Sequence, residues 1–305
     1  MAAVVVRDIH KRYGDIRAVD GISFEIERGE VFGMLGPNGA GKSTTVEIIE
    51  GLRQMDRGEV RVMDLDPHRD RARVKKSIGI QLQSASLFDK LTAREHLALF
   101  SSFYSKTRDA DELIELVGLE DRANAISKEL SGGQRQRLSF ALALVNDPEI
   151  VFLDEPTTGL DPQARRHMWD VISAMDNEGK TVFLTTHYME EAELLCDRVA
   201  IIDHGKIIVI DTPSRLIDTQ FENQTVSFVN PGDGIADTEL ESLAAVSSVA
   251  ATDGRVELFT ADVSATVGAL MDFASRKSIA MKDLRIGHAN LEDVFIKLTG
   301  RRIRD

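Results

Sequence analysis

Residues Gly36 to Thr44 read GPNGAGKST, a glycine-rich run that ends in a lysine and two hydroxyls. Gly36, Gly39 and Gly41, interleaved with Pro37, Asn38 and Ala40, let the backbone curl so that successive N–H groups point inward. A helix beginning at the loop's end adds its partial positive charge. The pattern Gly-x-x-x-x-Gly-Lys-Ser/Thr suits a triphosphate: Lys42 is expected to reach the terminal phosphates and Ser43 to ligate Mg²⁺, with Thr44 on the α-phosphate side. With glycine near 7% of average composition, these fixed positions recur by accident in on the order of 1% of chains this long. The run therefore indicates nucleotide binding. Alone, it does not separate a GTPase or a small-molecule kinase from other nucleotide-hydrolysing proteins.

Two further clusters narrow the chemistry. Ile150 to Pro156 reads IVFLDEP, four apolar residues followed by two carboxylates. A fully apolar run fits a strand covered on both faces of a parallel sheet. Asp154 then emerges at the strand's carboxyl end, where such sheets place ligands, and suits a Mg²⁺-directed role. Glu155 is expected to face the γ-phosphate and polarise an attacking water as general base. Leu130 to Arg137 reads LSGGQRQR, a serine and two glycines at an expected helix start. There the Ser131 hydroxyl and backbone N–H groups converge with a helix dipole behind them. That is a second anion-binding device in a chain that already has one, and it makes sense if it closes on a nucleotide held by another subunit.

With these motifs in this order, residues 4 to 217 resemble an ATP-binding-cassette ATPase. The resemblance implies ATP and Mg²⁺ as cofactors. It implies that Ser131, Gly132, Gly133 and Gln134 pack against the γ-phosphate bound by the opposite protomer. By the same likeness Tyr13 takes the place of the aromatic residue that stacks on adenine. Gln83 takes that of the glutamine-loop residue sensing Mg²⁺ or the attacking water, here preceded by Leu82 where the family often has proline. Gly159–Leu160–Asp161 corresponds to the loop that touches the partner, and His187 to the switch histidine at the γ-phosphate. His10, His68, His96, His167, His204 and His288 have no such context and read as satisfied surface or core residues.

These residues need elements to hold them. Strands are expected at Val4–Ile9 and Ile22–Ile26, with a turn around Tyr13–Gly14, and at Glu30–Leu35 before the glycine loop. A helix is expected from Lys42 to Gly51, then strands at Gly58–Met63 and Ser77–Leu82. From about 84 to 145 the periodicity turns helical, with Leu91–Tyr104 and Ala110–Val117 as its clearest helices. Strands return at Ile150–Leu153, Thr181–Thr185 and Val199–Asp203, the last forming a hairpin with Lys206–Ile210. This predicts an α/β fold: a P-loop, RecA-like core with an N-terminal antiparallel β subdomain and a helical insertion, over residues 1–219. A small α/β domain without a chemical motif is expected over 220–305. In it Thr225–Val229, Arg255–Phe259 and Ala280–Ile286 read as strands and Asp253–Gly254 as a turn. Ser214–Thr219, Val263–Lys277 and Leu291–Thr299 read as helices.

The 305 residues are 43% hydrophobic and 29% charged, an ordinary globular balance. A net charge of −13 and a pI near 5.1 weigh against nucleic acid and against adhesion to anionic lipid, despite Arg301, Arg302 and Arg304 in the tail. Cys196 is the only cysteine, which fits a reducing compartment, and it reads as a small buried hydrophobe on a helix. No run approaches the roughly 18 apolar residues of a spanning helix. Any membrane role is therefore expected through a partner, and the resemblance implies a separately encoded permease above two ATPase protomers, at the cytoplasmic face. Leu87–Tyr104 and the closing LEDVFIKLTGR, Leu291–Arg301, resemble the ATPase subunits of daunorubicin-resistance-type exporters. The alternatives are a soluble cassette ATPase associated with ribosomes or DNA, or an importer ATPase with a regulatory C-terminal domain.

Overall fold

The computed structural model describes residues 2–82, 87–220, 224–229, 235–252, 254–277, 279, 281–287 and 289–300. Gln83, Asp253, Ala280, His288 and the tail arginines 301, 302 and 304 lie outside them. The chain divides into two compact units, Met1–Thr212 and Pro213–Arg302.

The first unit opens with a hairpin, β1 (Ala2–Tyr13) and β2 (Ile16–Glu27), longer than the sequence pattern implied. It continues through β3 (Val31–Leu35), α1 (Lys42–Ile49), β4 (Arg57–Val62), α2 (Arg71–Ser77) and β5 (Ile78–Gln81). The helical stretch α3 (Ala93–Ser101), α4 (Ala110–Leu116) and α5 (Gly132–Ala143) comes next. The core then resumes with β6 (Ile150–Asp154), α6 (Pro162–Asn177), β7 (Thr181–Thr186), α7 (Met189–Leu195), β8 (Arg198–Asp203) and β9 (Lys206–Asp211).

These strands make two sheets. One is antiparallel, in the order β2-β1-β4; the other runs β5-β6-β7-β3-β8-β9, parallel except for β9. Alternate residues of the hairpin, Val4 and Val6 on one strand and Ile22, Phe24 and Ile26 on the other, point inward, as a period of two requires. Phe24 stacks on Phe32 of β3 at 5.2 Å between centroids, and Phe183 of β7 meets both edge-on at 5.8–5.9 Å. This aromatic cluster fastens the antiparallel layer to the central strands, adding roughly 0.5–1.5 kcal/mol per ring pair to the burial itself.

The helical stretch begins each helix with a side-chain cap. Thr92 forms a capping box with Glu95, Asp109 accepts from the N–H groups of Asp111 and Glu112, and Ser131 forms a second box with Gln134. His96 is buried here with both ring nitrogens satisfied: Nε2 accepts from the Phe88 N–H at 2.9 Å, and Nδ1 meets the Thr92 carbonyl at 2.8 Å. That is the core role expected of it. Cys196 is buried, just past the last turn of α7 rather than within it. Among the described residues, no helix is long and apolar enough to cross a membrane.

The second unit comprises α8 (Pro213–Gln220), β10 (Gln224–Val229), α9 (Asp237–Glu241), β11 (Val246–Thr252), β12 (Arg255–Thr260), α10 (Val263–Lys277), β13 (Lys282–Gly287) and α11 (Leu291–Thr299). Its antiparallel sheet, β11-β12-β10-β13, packs Val226, Phe228 and Leu258 against Leu270 and Phe273 of α10. β11 was not expected, because VSSVAAT offers small residues instead of an alternating apolar face.

Candidate functional site

The register of the parallel sheet decides what can meet. Leu35, the last residue of β3, pairs with Thr186 of β7, and Asp154, the last of β6, pairs with Thr185. Three strands therefore end at one level. Gly36, Glu155 and His187 leave them side by side at the carboxyl edge, the ligand-binding edge of such a sheet.

The glycine loop is tightly built. A Cβ on Gly36 would stand 2.4 Å from the Ile202 carbonyl oxygen. At Gly41, with φ of +108°, it would stand 2.3 Å from that of Ala18. Only glycine lets the backbone pass there. Two further bonds set the loop's position: Gly205 N–H donates to the Ala40 carbonyl at 2.9 Å, and Asp20 N–H donates to the Gly205 carbonyl at 2.8 Å. Gly41 is the N-cap residue of α1, and no side chain caps that helix start. The N–H groups of Lys42, Ser43 and Thr44 thus occupy the helix's first turn, where an anion is favoured. Lys42 is buried; its Nζ donates to the Gly36 carbonyl at 2.7 Å and lies 3.8 Å from Glu155 Oε1. Burial pushes its pKa down, and the Glu155 and Asp154 carboxylates oppose that.

Asp154 and Glu155 are adjacent carboxylates in opposite electrical settings. Asp154 is buried, which raises its pKa, while hydrogen bonds from the hydroxyls of Thr185 and Ser43 pull it back down. Ser43 and Asp154 thus form an oxygen-only pair. That donor set fits a hard cation such as Mg²⁺, with water and phosphate oxygens completing the shell. Among the described residues no group of three or more His, Cys, Asp or Glu side chains could hold a metal by itself. Glu155 has its pKa lowered, first by the His187 imidazole, whose Nδ1 lies 3.4 Å from Oε2, and then by Lys42. Its backbone φ is +50°, a left-handed conformation that costs a non-glycine residue roughly 1–2 kcal/mol. The bend is held by the Glu155 N–H, which donates to both the carbonyl and the hydroxyl of Thr185 at 3.1 Å. It is held also by Gln136 Nε2, donating at 3.3 Å to the carbonyls of Glu155 and Pro156. Thr158 Oγ1 donates to Glu155 Oε2 at 3.2 Å. Strain of this kind aims a carboxylate at a fixed point.

The serine-glycine motif forms the expected helix start. Ser131 caps α5: its hydroxyl accepts from the Gln134 N–H at 3.2 Å, and Gln134 Oε1 accepts from the Ser131 N–H at 2.9 Å. Ser131 and Gly132 are exposed, and a Cβ on Gly132 would meet nothing within 4 Å. Gly133 faces Leu160 Cδ2 of the Gly159–Leu160–Asp161 loop, and Asp161 caps α6. Tyr13 ends β1, 41% exposed, with the Arg53 guanidinium 5.3 Å from its ring centroid. The sequence pattern did not single out Thr185, Gln136 or Glu191. Glu191, on α7, is wholly buried and accepts hydrogen bonds from Thr157 Oγ1 and Trp169 Nε1.

The sequence is similar to those of known proteins along the chain. Residues 19–158 fit the family model described as ABC transporter. The linearmycin resistance ATP-binding protein LnrL of Bacillus subtilis (strain 168) is 39% identical over 98% of both chains. The Nod factor export ATP-binding protein I of Burkholderia orbicola (strain AU 1054) is 38% identical, over 100% of this chain and 99% of its own. Among solved structures, the dimeric post-hydrolysis state of the cassette MJ0796, bound to ADP and Pi, superposes with a TM-score of 0.64 at 29% identity. It covers 68% of this chain and 98% of its own. A nucleotide-binding loop, two carboxylates at one strand end and relatives of this kind lead to one conclusion: the chain belongs to the ABC transporter family, as an ATP-hydrolysing subunit of its export branch.

Proposed function

We propose that this protein works in pairs beneath a separately encoded membrane permease, at the cytoplasmic face of the membrane, and that its ATPase cycle drives outward movement of a drug-like or lipophilic compound. The observation that carries the paired reading is the exposed helix start at Ser131 and Gly132, where a Cβ on Gly132 would meet no described residue within 4 Å. A second copy would bring its own phosphate-bound nucleotide to that helix N-terminus, and the exchange would be mutual. The cargo class is supported by the relatives, named for linearmycin resistance and Nod factor export.

In this reading Gly36 to Thr44 cradle the triphosphate and Lys42 meets its terminal phosphates. Tyr13 stacks on adenine. Ser43 and Asp154, with Gln83 by the family likeness, would hold Mg²⁺, which would supply neutralisation of phosphate charge. Glu155 takes up the proton of the attacking water, and His187 and Lys42 keep it ionised until then. His187 also contacts the γ-phosphate. Ser131, Gly132, Gly133 and Gln134 serve the nucleotide of the opposite protomer. Phosphoryl transfer to water needs positioning and charge stabilisation more than covalent chemistry, and these groups are of that kind.

The test is affinity purification of tagged Glu155→Gln protein from its own cells in mild detergent with MgATP. A polytopic membrane protein recovered in stoichiometric amount is expected, and its identity narrows the cargo. Recovery of ribosomes, nucleic acid or soluble proteins alone would overturn the transporter reading.

A further inference from the structure

Glu191 follows His187 by four residues and lies on α7, with no solvent exposure. Thr157 Oγ1 donates to its Oε1 at 2.7 Å, and Trp169 Nε1 of α6 donates to the same oxygen at 3.0 Å. The Thr186 side chain lies against the carboxyl and the Arg165 charge favours its ionised form, yet burial outweighs both and raises its pKa. Thr186 Oγ1 accepts the Tyr188 N–H at 2.9 Å, and the Arg165 guanidinium sits 4.3 Å from the Tyr188 ring centroid. One carboxyl thus joins three segments: the loop after Glu155, the middle of α6, and the turn that carries His187.

Stability is a poor reason to keep a carboxyl there. Burying it costs free energy that two neutral donors offset only in part, and an apolar side chain of similar volume would avoid that cost. The carboxyl supplies geometry instead. Thr157 is two residues from Glu155, and Glu191 itself stands on α7 four residues beyond His187, so the carboxyl bonds the Glu155 loop directly and reaches the His187 turn through its own helix.

We propose that Glu191 is a positioning residue for ATP hydrolysis, a buried tie holding the Glu155 loop and the His187 loop in mutual register. The inference rests on the roles given above to Glu155 and His187. Trp169 is the only tryptophan in the chain, so its fluorescence reports this bond directly.

The experiment compares full-length Glu191→Gln, Glu191→Leu and Thr157→Val proteins with the parent in MgATP turnover and tryptophan emission, with Glu155→Gln as control. Glutamine keeps an acceptor for both donors, so kcat within threefold of the parent and an unchanged emission spectrum are expected. Glu191→Leu is expected to lose at least tenfold in kcat with KM for MgATP within threefold, because the glycine loop is untouched, and to shift the Trp169 emission. Thr157→Val, which removes a single hydroxyl and needs no refolding of the core, is expected to lower kcat at least threefold at constant KM. Should Glu191→Leu fail to fold, Thr157→Val and the glutamine rescue decide the matter. The proposal is overturned if Thr157→Val keeps kcat within twofold, if KM rises in step with any loss, or if glutamine fails to rescue. Full turnover by Glu155→Gln would instead overturn the assignment of the base, a separate failure.

Discussion

Lys42 Nζ stands 3.8 Å from Glu155 Oε1, and neither side chain is more than 7% exposed. The ammonium proposed to meet phosphate and the carboxylate proposed to meet water are thus held as neighbours by two loops far apart in the chain. Lys42→Ala is expected to weaken MgATP binding at least tenfold in calorimetry and to lower turnover at least a hundredfold. Glu155→Gln is expected to abolish turnover and leave MgATP affinity within a few fold, since it removes the base without emptying the glycine loop.

The pH dependence of Glu155, the proposed base, follows from its neighbours. Glu155 has a pKa below the ordinary glutamate value, with His187 as the largest cause. A carboxyl depressed in the folded state contributes stability above its unfolded pKa and loses it as pH falls through the lower folded value. In single-turnover kinetics, the acid limb belonging to Glu155 is therefore expected below the ordinary glutamate range. Replacing His187 with Ala removes the main cause, so that limb is expected to move to higher pH and the maximal rate to fall.

Glu50, at the end of α1, behaves in the opposite sense. It is 5% exposed, its Oε2 has no hydrogen-bond partner among the described residues, and burial raises its pKa to about 8, with Asp154 and Glu47 adding to the effect. Its folded pKa exceeds its unfolded one, so the native state binds the extra proton. That contribution to stability is full below the unfolded pKa, near 4.5, and is lost as pH rises towards 8. Glu50→Gln keeps the shape without the titration. It is expected to be nearly neutral in thermal denaturation at pH 5 and stabilising by on the order of a few kcal/mol at pH 8.5.

Much of the site was legible because its chemistry needs particular residue types at fixed spacing. The glycine loop, the Asp154–Glu155 pair and the Ser131 helix start all stand where the pattern put their elements, since glycine, a four-residue apolar run and a capping serine each have a local physical meaning. The tie at Glu191 was illegible for the same reason. In HYMEEAELL its carboxylate reads as one of three acids on a solvated helix face, and only the packing of α6 on α7 turns it inward. The conformation of Glu155 is likewise set by Thr185 and Gln136, from a neighbouring strand and a helix beyond the reach of any local signal. α2 and β11 escaped because a short basic helix and a run of small residues carry little apolar periodicity.

A substitution at Ser131 tests the proposed pairing apart from nucleotide binding. Ser131→Ala loses the N-cap bond to the Gln134 N–H, a cost of about 1 kcal/mol to the start of α5. In a Glu155→Gln background, its affinity for MgATP as a monomer is expected to stay within threefold. Its MgATP-dependent dimerisation, followed by light scattering, is expected to weaken at least tenfold.

The clamped glycine loop has a thermodynamic consequence. Ala18 behind Gly41, and Ile202 and Gly205 of the β8–β9 hairpin behind Gly36 and Ala40, give the loop its shape from two remote parts of the chain. A nucleotide arriving there meets a backbone whose path these contacts already set, which lowers the ordering entropy it must offset. More of its interaction free energy is then left for a later, larger rearrangement. In the proposed pair, a preset cradle in each subunit would let a small ligand act as the fuel of a motor rather than merely as its occupant.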